Sequence, residues 1–379
     1  MADQEIISGS ITSAQSDVWQ KIKKIAISDK VANAYIFSGP QGAGKEAIAI
    51  KFAQLLNCES IKQEFCGNCS SCNRCEKLEH ENIKFIFPLP TSPKNKKDSF
   101  SSTSDKNLDF VKDAFAKKSV NLFHKIRIPK ANRILIQSIR EIRRSLYLKS
   151  DSNGKKVVII FDAHLLSAGQ GETANAFLKL LEEPPPQTTF ILITDHLDLL
   201  LQTIISRCQR IGFPRLNDEY VRLWFKEKIV NTDEIDLLVA LSRGNLQSAQ
   251  FFVKQTVENL TAIISDLVHK TTEKDPENWQ SFISEYSKIA SQERSKFKYH
   301  FMLLKIWFKS TNLLKNNIDN PLQNTKLKNT MDKFLSKHPQ SDLRKIVLEL
   351  EKAEASISLN LYMPLVLLNL LINIQKILR

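Results

Sequence analysis

No apolar run in this chain of 379 residues is long enough to cross a bilayer. The most apolar tract, Met363 to Ile374, is too short and carries Asn369 and Asn373, so a buried helix is expected there. The opening MADQEIISGS holds acids and no apolar stretch, so a cleavable export signal is not expected. A cytoplasmic protein without a membrane partner is the expectation. Cysteine is scarce outside one place, with five of the six between Cys58 and Cys75. In a cytoplasmic chain that crowding disfavours a disulfide framework and favours metal. Strand patterns are missing beyond Pro214, which excludes an α/β fold for the second half.

The chain is too long for one small core, and two or three domains are expected. Its 42% hydrophobic and 25% charged content is ordinary for a globular protein. The net charge of +13 is unevenly placed. Between Lys94 and Lys156 there are 17 Lys and Arg against 6 Asp and Glu, a balance of +11. Such a stretch suits a phosphate-bearing partner, with nucleic acid foremost, or else a solvated insert.

Residues 18 to 30 have helical periodicity, and Ala34 to Ser38 (AYIFS) is a short apolar strand. The strand feeds GPQGAGKEAIAI, Gly39 to Ile50, in which Glu46 to Leu56 is helical. Strand, loop and helix are the context a phosphate-binding loop requires. Glycines Gly39, Gly42 and Gly44 let backbone N–H groups turn inward, the helix start favours anions, and Lys45 adds a positive charge. The segment Pro88 to Asn107, rich in Ser, Lys and Pro, lacks periodicity and reads as an insert. Leu135, Ile139, Ile142 and Leu146 then share one helical face, with Arg140, Arg143 and Arg144 off it. Lys156 to Asp162 (KVVIIFD) and Thr189 to Asp195 (TFILITD) are continuous apolar runs, as buried parallel strands are. Thr173 to Glu183 is a helix stopped by the prolines at 184 to 186, and Leu197 to Ser206 is a further helix. Glu219 to Val230, Thr232 to Ser242 and Asn245 to Gln255 are short helices; Phe297 to Leu314 and Leu343 to Ala355 are longer ones.

Two departures touch the chemistry of the loop. The residue after Lys45 should be Ser or Thr to hold magnesium, and it is Glu46. A carboxylate facing phosphates ~4 Å away is repelled by about 4 kcal/mol at an effective dielectric near 20. A helix terminus cannot cancel that, so ATP binding is expected to be weak or absent. The strand acid Asp162 is followed by Ala163, whose methyl cannot activate water. His164, next along, is expected at the surface. The cysteines Cys58, Cys66, Cys69, Cys72 and Cys75 have spacings that let thiolates converge on a structural zinc, with five candidates for four places. The arginine of SRC, Arg207, is by spacing alone an ordinary solvated charge.

These stretches together resemble the clamp-loader branch of the AAA+ proteins, related to gamma/tau, and within it the bacterial DNA polymerase III delta prime subunits. The carrying segments are AYIFSGPQGAGKEAIAIKFAQLLNC, CGNCSSC, IREIRRSL, KVVIIFDAHLL, ANAFLKLLEEPPPQTTFILIT and TIISRCQ. The resemblance implies an α/β AAA+ phosphate-loop domain over residues 1–213, a parallel sheet flanked by helices with a zinc module at 58–75. A helical lid over 214–256 and a helical collar over 257–379 would follow. It implies zinc on Cys58, Cys66, Cys69 and Cys72, a first-sensor role for Thr194, and Arg207 as a finger completing a neighbour's ATP site. Gln247 stands where gamma/tau subunits carry a second-sensor Arg. Implied partners are gamma/tau and delta in a five-membered ring, the sliding clamp and primer–template DNA. The basic insert, about 88–130, is outside the common pattern. An active gamma/tau-type ATPase and a stand-alone zinc-bearing DNA-binding protein are the rival readings.

Overall fold

The computed structural model describes residues 11–379 except 29, 61–63, 91–104, 129–130, 148–153, 170, 229–234, 254–255, 319, 321, 323 and 360. Its chain divides into two compact units, Met1–Asn217 with Gly244–Gln247, and Asp218–Arg243 with Ser248–Arg379.

In the first unit α1 (Ser16–Ile27) leads to β1 (Ala34–Ser38), and α2 (Lys45–Asn57) follows the glycine loop. Next come α3 (Ser70–Glu76), β2 (Ile83–Ile86), α4 (Asp105–Val120), α5 (Ile136–Tyr147) and β3 (Lys156–Ile160). A 3-10 turn at Ala163–Ser167, α6 (Glu172–Glu182), β4 (Thr188–Thr194), a second 3-10 turn at Leu197–Leu199, α7 (Gln202–Ile205) and β5 (Gln209–Gly212) complete it. The strands form one parallel sheet in the order β2-β3-β4-β1-β5. The expected α/β architecture, a parallel sheet flanked by helices and followed by further helices, is therefore present.

The strand order positions the site. Because β3, β4 and β1 are neighbours, their carboxyl ends open onto one edge, with Ser38 opposite Thr194 and Ile160 opposite Leu192. All of β1 and β4 is buried, which is why both read as unbroken apolar runs. On one face Phe177 meets Phe190 edge-on at 5.4 Å, among Ile139, Leu146, Ala174 and Leu180. On the other, Phe52 of α2 meets Tyr35 and Phe37 of β1 at 5.7 and 6.5 Å. Helix α2 is buried at every residue but Leu56, so it shows no amphipathic stripe.

The structure departs from expectation in four places. Strands β2 and β5 lie at the two edges, where half-buried residues in β2 and exposed ones in β5 break the apolar run that would have revealed them. The predicted single helix from Leu197 to Ser206 is two short pieces, because Leu200 and Leu201 are extended. The strand before Asp162 stops at Ile160, and Asp162 adopts a left-handed conformation at φ 49° that starts the 3-10 turn. The supposed insert is in part a packed helix: the ring of Phe115 in α4 lies 5.3 Å from Phe85 and 5.4 Å from Phe87. The stretch 91–104 of that insert lies outside the described residues.

The regular elements among the described residues of the second unit are all helices. It comprises α8 (Asp218–Lys228), α9 (Ile235–Ser242), most of α10 (Leu246–Phe252), α11 (Val257–Thr272) and α12 (Pro276–Gln292). Then come α13 (Arg294–Lys315), α14 (Thr325–Lys337), α15 (Leu343–Ser358) and α16 (Met363–Ile377). The expected helix ends at Val230, Thr232 and Gln255 lie outside the described residues. Phe297 and Phe301 stack at 4.1 Å in its core, near Phe282 and Tyr286. The apolar C-terminal helix is buried on one face only, through Leu367, Leu370, Leu371 and Ile374, while Leu365 is 56% exposed. The tract expected to be a buried helix is thus a helix with one buried face. No helix among the described residues is long and apolar enough to cross a membrane.

Candidate functional site

The glycine loop sits where β1 ends and α2 begins. Gly42 and Gly44 have φ of 73° and 85°, and a Cβ on Gly44 would lie 2.5 Å from Ile11 Cδ1. Only glycine fits there. Lys45 Nζ turns back into the loop, donating to the Gly39 and Pro40 carbonyls at 2.8 and 2.6 Å and pairing with Asp195 Oδ1 at 2.6 Å. Gln247, at the expected second-sensor position, accepts a 2.9 Å hydrogen bond from Gln41 of the loop.

Glu46 is not the bare repulsive charge that its position suggests. Its Oε2 lies 2.5 Å from Lys118 Nζ at the end of α4, and its Oε1 lies 3.4 Å from Lys125 Nζ. Lys125 also pairs with Asp162 at 2.5 Å and reaches Asp195 at 3.9 Å. Three lysines and three carboxylates thus close on one another at the carboxyl edge of the sheet. Burial would raise the Glu46 carboxyl, but Lys118 and Lys125 outweigh it and hold it below the ordinary range. Asp195 behaves alike: burial raises it, and Lys125 with Lys45 brings it lower. Burial would lower Lys125, and Asp162, Glu46 and Asp195 instead hold it above the usual lysine range. The cavity left between the loop, Phe123 and Lys125 measures about 20 Å³, room for about one water molecule.

Thr194 is buried at the end of β4, where its hydroxyl accepts from the His196 N–H at 2.9 Å and lies 3.2 Å from His164 Nδ1. His164 is therefore not the surface histidine expected from sequence. Its ring meets His196 edge-on at 5.0 Å, and burial lowers its pKa. Arg207 does not line the phosphate-loop cavity. Its guanidinium is 39% exposed, donating to the Thr203 carbonyl at 3.0 Å and to Glu182 Oε1 at 2.9 Å. Glu182 is the first acid of LEEPP, so the two sequence motifs meet in space. A pair this exposed is worth at most about 1 kcal/mol, weak enough for a phosphate to displace.

The cysteines come together without Cys75. The sulfurs of Cys58, Cys66, Cys69 and Cys72 all lie within 4.8 Å of one another. Cys58 caps α2, Cys69 caps α3, and Cys72 lies in the first turn of α3. Backbone N–H groups of Cys66, Cys69 and Cys72 donate to the sulfurs of Cys58, Cys66 and Cys69 at 3.3, 3.4 and 3.3 Å. N–H groups of Asn68 and Cys69 bring Cys66 down to about 7, while burial pushes the Cys58 and Cys72 thiols up. The Cys66 to Cys72 sulfur distance is 4.0 Å. Four thiolates around a tetrahedral ion with ~2.3 Å bonds stand ~3.8 Å apart, so the residues present fit a metal. Cys75, buried on α3, has its thiol pushed up to about 12 by burial.

Sequence reasoning missed Lys118, Lys125 and Asp195. Asp195 had a signal, since it ends an apolar strand as Asp162 nearly does. The lysines had none: within a stretch of 17 cations, nothing in spacing marks the two that turn inward.

The network sets measurable expectations. Lys118→Met should destabilise the chain by about 3–5 kcal/mol in urea unfolding, because it removes the nearer of the two cations that hold the buried Glu46 carboxylate, whereas adding Glu46→Met should recover most of the loss. Equal losses in the single and double variants would show that the pairing contributes nothing. Because the Glu46 and Asp195 carboxyls are lowered in the fold, the unfolded chain binds protons first on acidification. Stability should be full at neutral pH and fall as pH drops through the ordinary carboxylate range, less steeply in the double variant. At the cysteines, serine at Cys58, Cys66, Cys69 or Cys72 should remove bound metal in elemental analysis, and serine at Cys75 should leave it.

Comparison with known proteins agrees with this layout. The family model described as "DNA polymerase III, delta subunit" matches residues 14–217. DNA polymerase III subunit tau of Bacillus subtilis (strain 168) is 26% identical over 250 residues, covering 64% of this chain and 36% of that protein. Subunit gamma of Buchnera aphidicola subsp. Acyrthosiphon pisum is 25% identical over 335 residues, covering 79% and 80%. The tau and gamma/tau relatives are longer: this chain spans about a third of the Bacillus subtilis and Mycoplasma genitalium proteins. A crystal structure of a gamma subunit-related protein from Thermotoga maritima aligns over 96% of this chain and 100% of its own, at a TM-score of 0.42 and 20% identity. That likeness is too low to carry weight. The family match spans more than half of the chain and takes in the glycine loop, Asp162, the four gathered cysteines and Arg207, and so the chain belongs to the family of DNA polymerase III, delta subunit.

Proposed function

We propose that this protein is a delta prime-like, non-hydrolysing subunit of a DNA polymerase III clamp loader. The observation that carries the reading is the neutralised phosphate loop. Glu46 replaces the magnesium-binding hydroxyl and has both oxygens engaged by Lys118 and Lys125. Ala163 stands where a catalytic acid would activate water, and it is buried. With its own loop unfit for turnover, the chain serves its neighbours. Arg207, half exposed and weakly held by Glu182, is free to reach the phosphates of an ATP bound by an adjacent gamma/tau subunit. An arginine supplied in trans stabilises the charge that develops on the transferred phosphoryl group.

On this reading residues 1–213 are the nucleotide-fold domain, 214–256 a lid and 257–379 the collar that joins gamma/tau and delta in a hetero-pentameric ring. Cys58, Cys66, Cys69 and Cys72 hold a structural zinc that ties α2 to α3. The ring as a whole would engage the sliding clamp and primer–template DNA. A gamma/tau-type motor is the competing reading, favoured by the names of the relatives. It requires Glu46 to ligate magnesium, and both of its oxygens are already paired.

Arg207→Ala should slow ATP turnover by the assembled loader on the order of tenfold or more while leaving assembly intact. Unchanged turnover removes the finger role. The purified chain alone should hydrolyse no ATP; turnover that disappears in Lys45→Ala would establish the motor instead.

A further inference from the structure

We propose that the segment from α4 to Ile128 is a built-in plug of the phosphate loop, in which Lys118 and Lys125 act as resident cations that keep magnesium-nucleotide out. This rests on the reading above in expecting no turnover, and goes further in denying binding.

Lys118 is fully enclosed, at 0% exposure. Its ammonium has three N–H groups and three acceptors around it: Glu46 Oε2 at 2.5 Å, the His124 carbonyl at 2.8 Å and the Leu122 carbonyl at 3.1 Å. The ring of Phe161 lies 5.1 Å from the same nitrogen. Nothing is left over for a ligand to satisfy. Lys125, on the same segment, bridges Glu46 and Asp162 and lies near Asp195, the acids that would otherwise face a divalent ion. Phe123 between them is buried and stands over Gly44, where its ring would be 3.5 Å from an added Cβ.

Charge and space then act together. Three lysines against three carboxylates leave no net attraction for a polyphosphate, and Lys45 is already bound to Asp195 and to its own loop. Withdrawing Lys118 would leave the buried Glu46 carboxylate with Lys125 alone, at 3.4 Å, and its Oε2 without a partner, a loss that rotating one side chain does not avoid. Entry therefore requires the whole segment to lift, against the packing of Phe115 on Phe85 and Phe87. A ligand that binds only the lifted state loses affinity in proportion to how rarely that state is populated.

The test is calorimetric titration of the full chain with magnesium-ATP, for the native sequence and for Glu46→Thr/Lys118→Met/Lys125→Met. The native chain should show no saturable binding, and the triple variant should bind at least roughly a hundredfold more tightly. Native binding as tight as that of the variant overturns the plug, and so does a folded variant that still fails to bind. Should the variant not fold, the thermal midpoint of the native chain decides: no shift with excess magnesium-ATP supports the plug, and a rise of several degrees overturns it. Nucleotide bound without turnover removes the plug and leaves the non-hydrolysing reading in place. Turnover by the chain alone removes that reading itself.

Discussion

The carboxylate of Glu46 can stay charged inside this protein because two lysines meet it there. An unpaired carboxylate at that depth would have to be protonated or drive the loop open. Lys118 and Lys125 relieve the burden, and in doing so they bind α4 and the turn after it to the glycine loop. Lys125 passes the constraint to Asp162, and Asp195 passes it to Lys45. The ends of β1, β3 and β4 are thereby joined by charge as well as by the sheet's hydrogen bonds. A loop shaped to hold phosphate has become a structural joint.

That inward turn contrasts with the chemistry left facing out. Arg207 and Glu182 pair at the surface, where water screens them and little energy is needed to part them. The arginine is held there only by Glu182 and the Thr203 carbonyl. The four cysteines serve a third purpose. They gather the end of α2 and the start of α3 by way of backbone N–H to sulfur contacts. Cys75 fails to join because the helix carries it into the interior.

The basic stretch also changes its meaning. Its charge balance suggested a nucleic-acid partner, and Arg140, Arg143 and Arg144 on α5 are indeed exposed. Yet Lys118 and Lys125 turn inward and pair with Glu46 and Asp162. Net charge over a window counts buried and exposed groups alike, so it overstates what such a stretch offers to solvent.

Much of the architecture was legible from local pattern alone. Strands β1, β3 and β4 are apolar along their length because helices cover both sheet faces, and α2 was marked by the loop that starts it. The glycines of the loop announced their own backbone, since the positive φ of Gly42 and Gly44 is one that residues with a Cβ adopt rarely, and at Gly44 a Cβ would meet Ile11. Edge strands β2 and β5 and helix α4 were not legible, because half-exposed elements dilute the periodic signal. The amino-acid order by itself determined that magnesium has no hydroxyl after Lys45 and that water has no base after Asp162: both are matters of which residue occupies a position. Only the tertiary structure decided what happens to the resulting charge. Pairing Glu46 with lysines 72 and 79 positions away depends on how the chain returns to the sheet edge, and Coulomb attraction follows distance in space, which no spacing along the chain records.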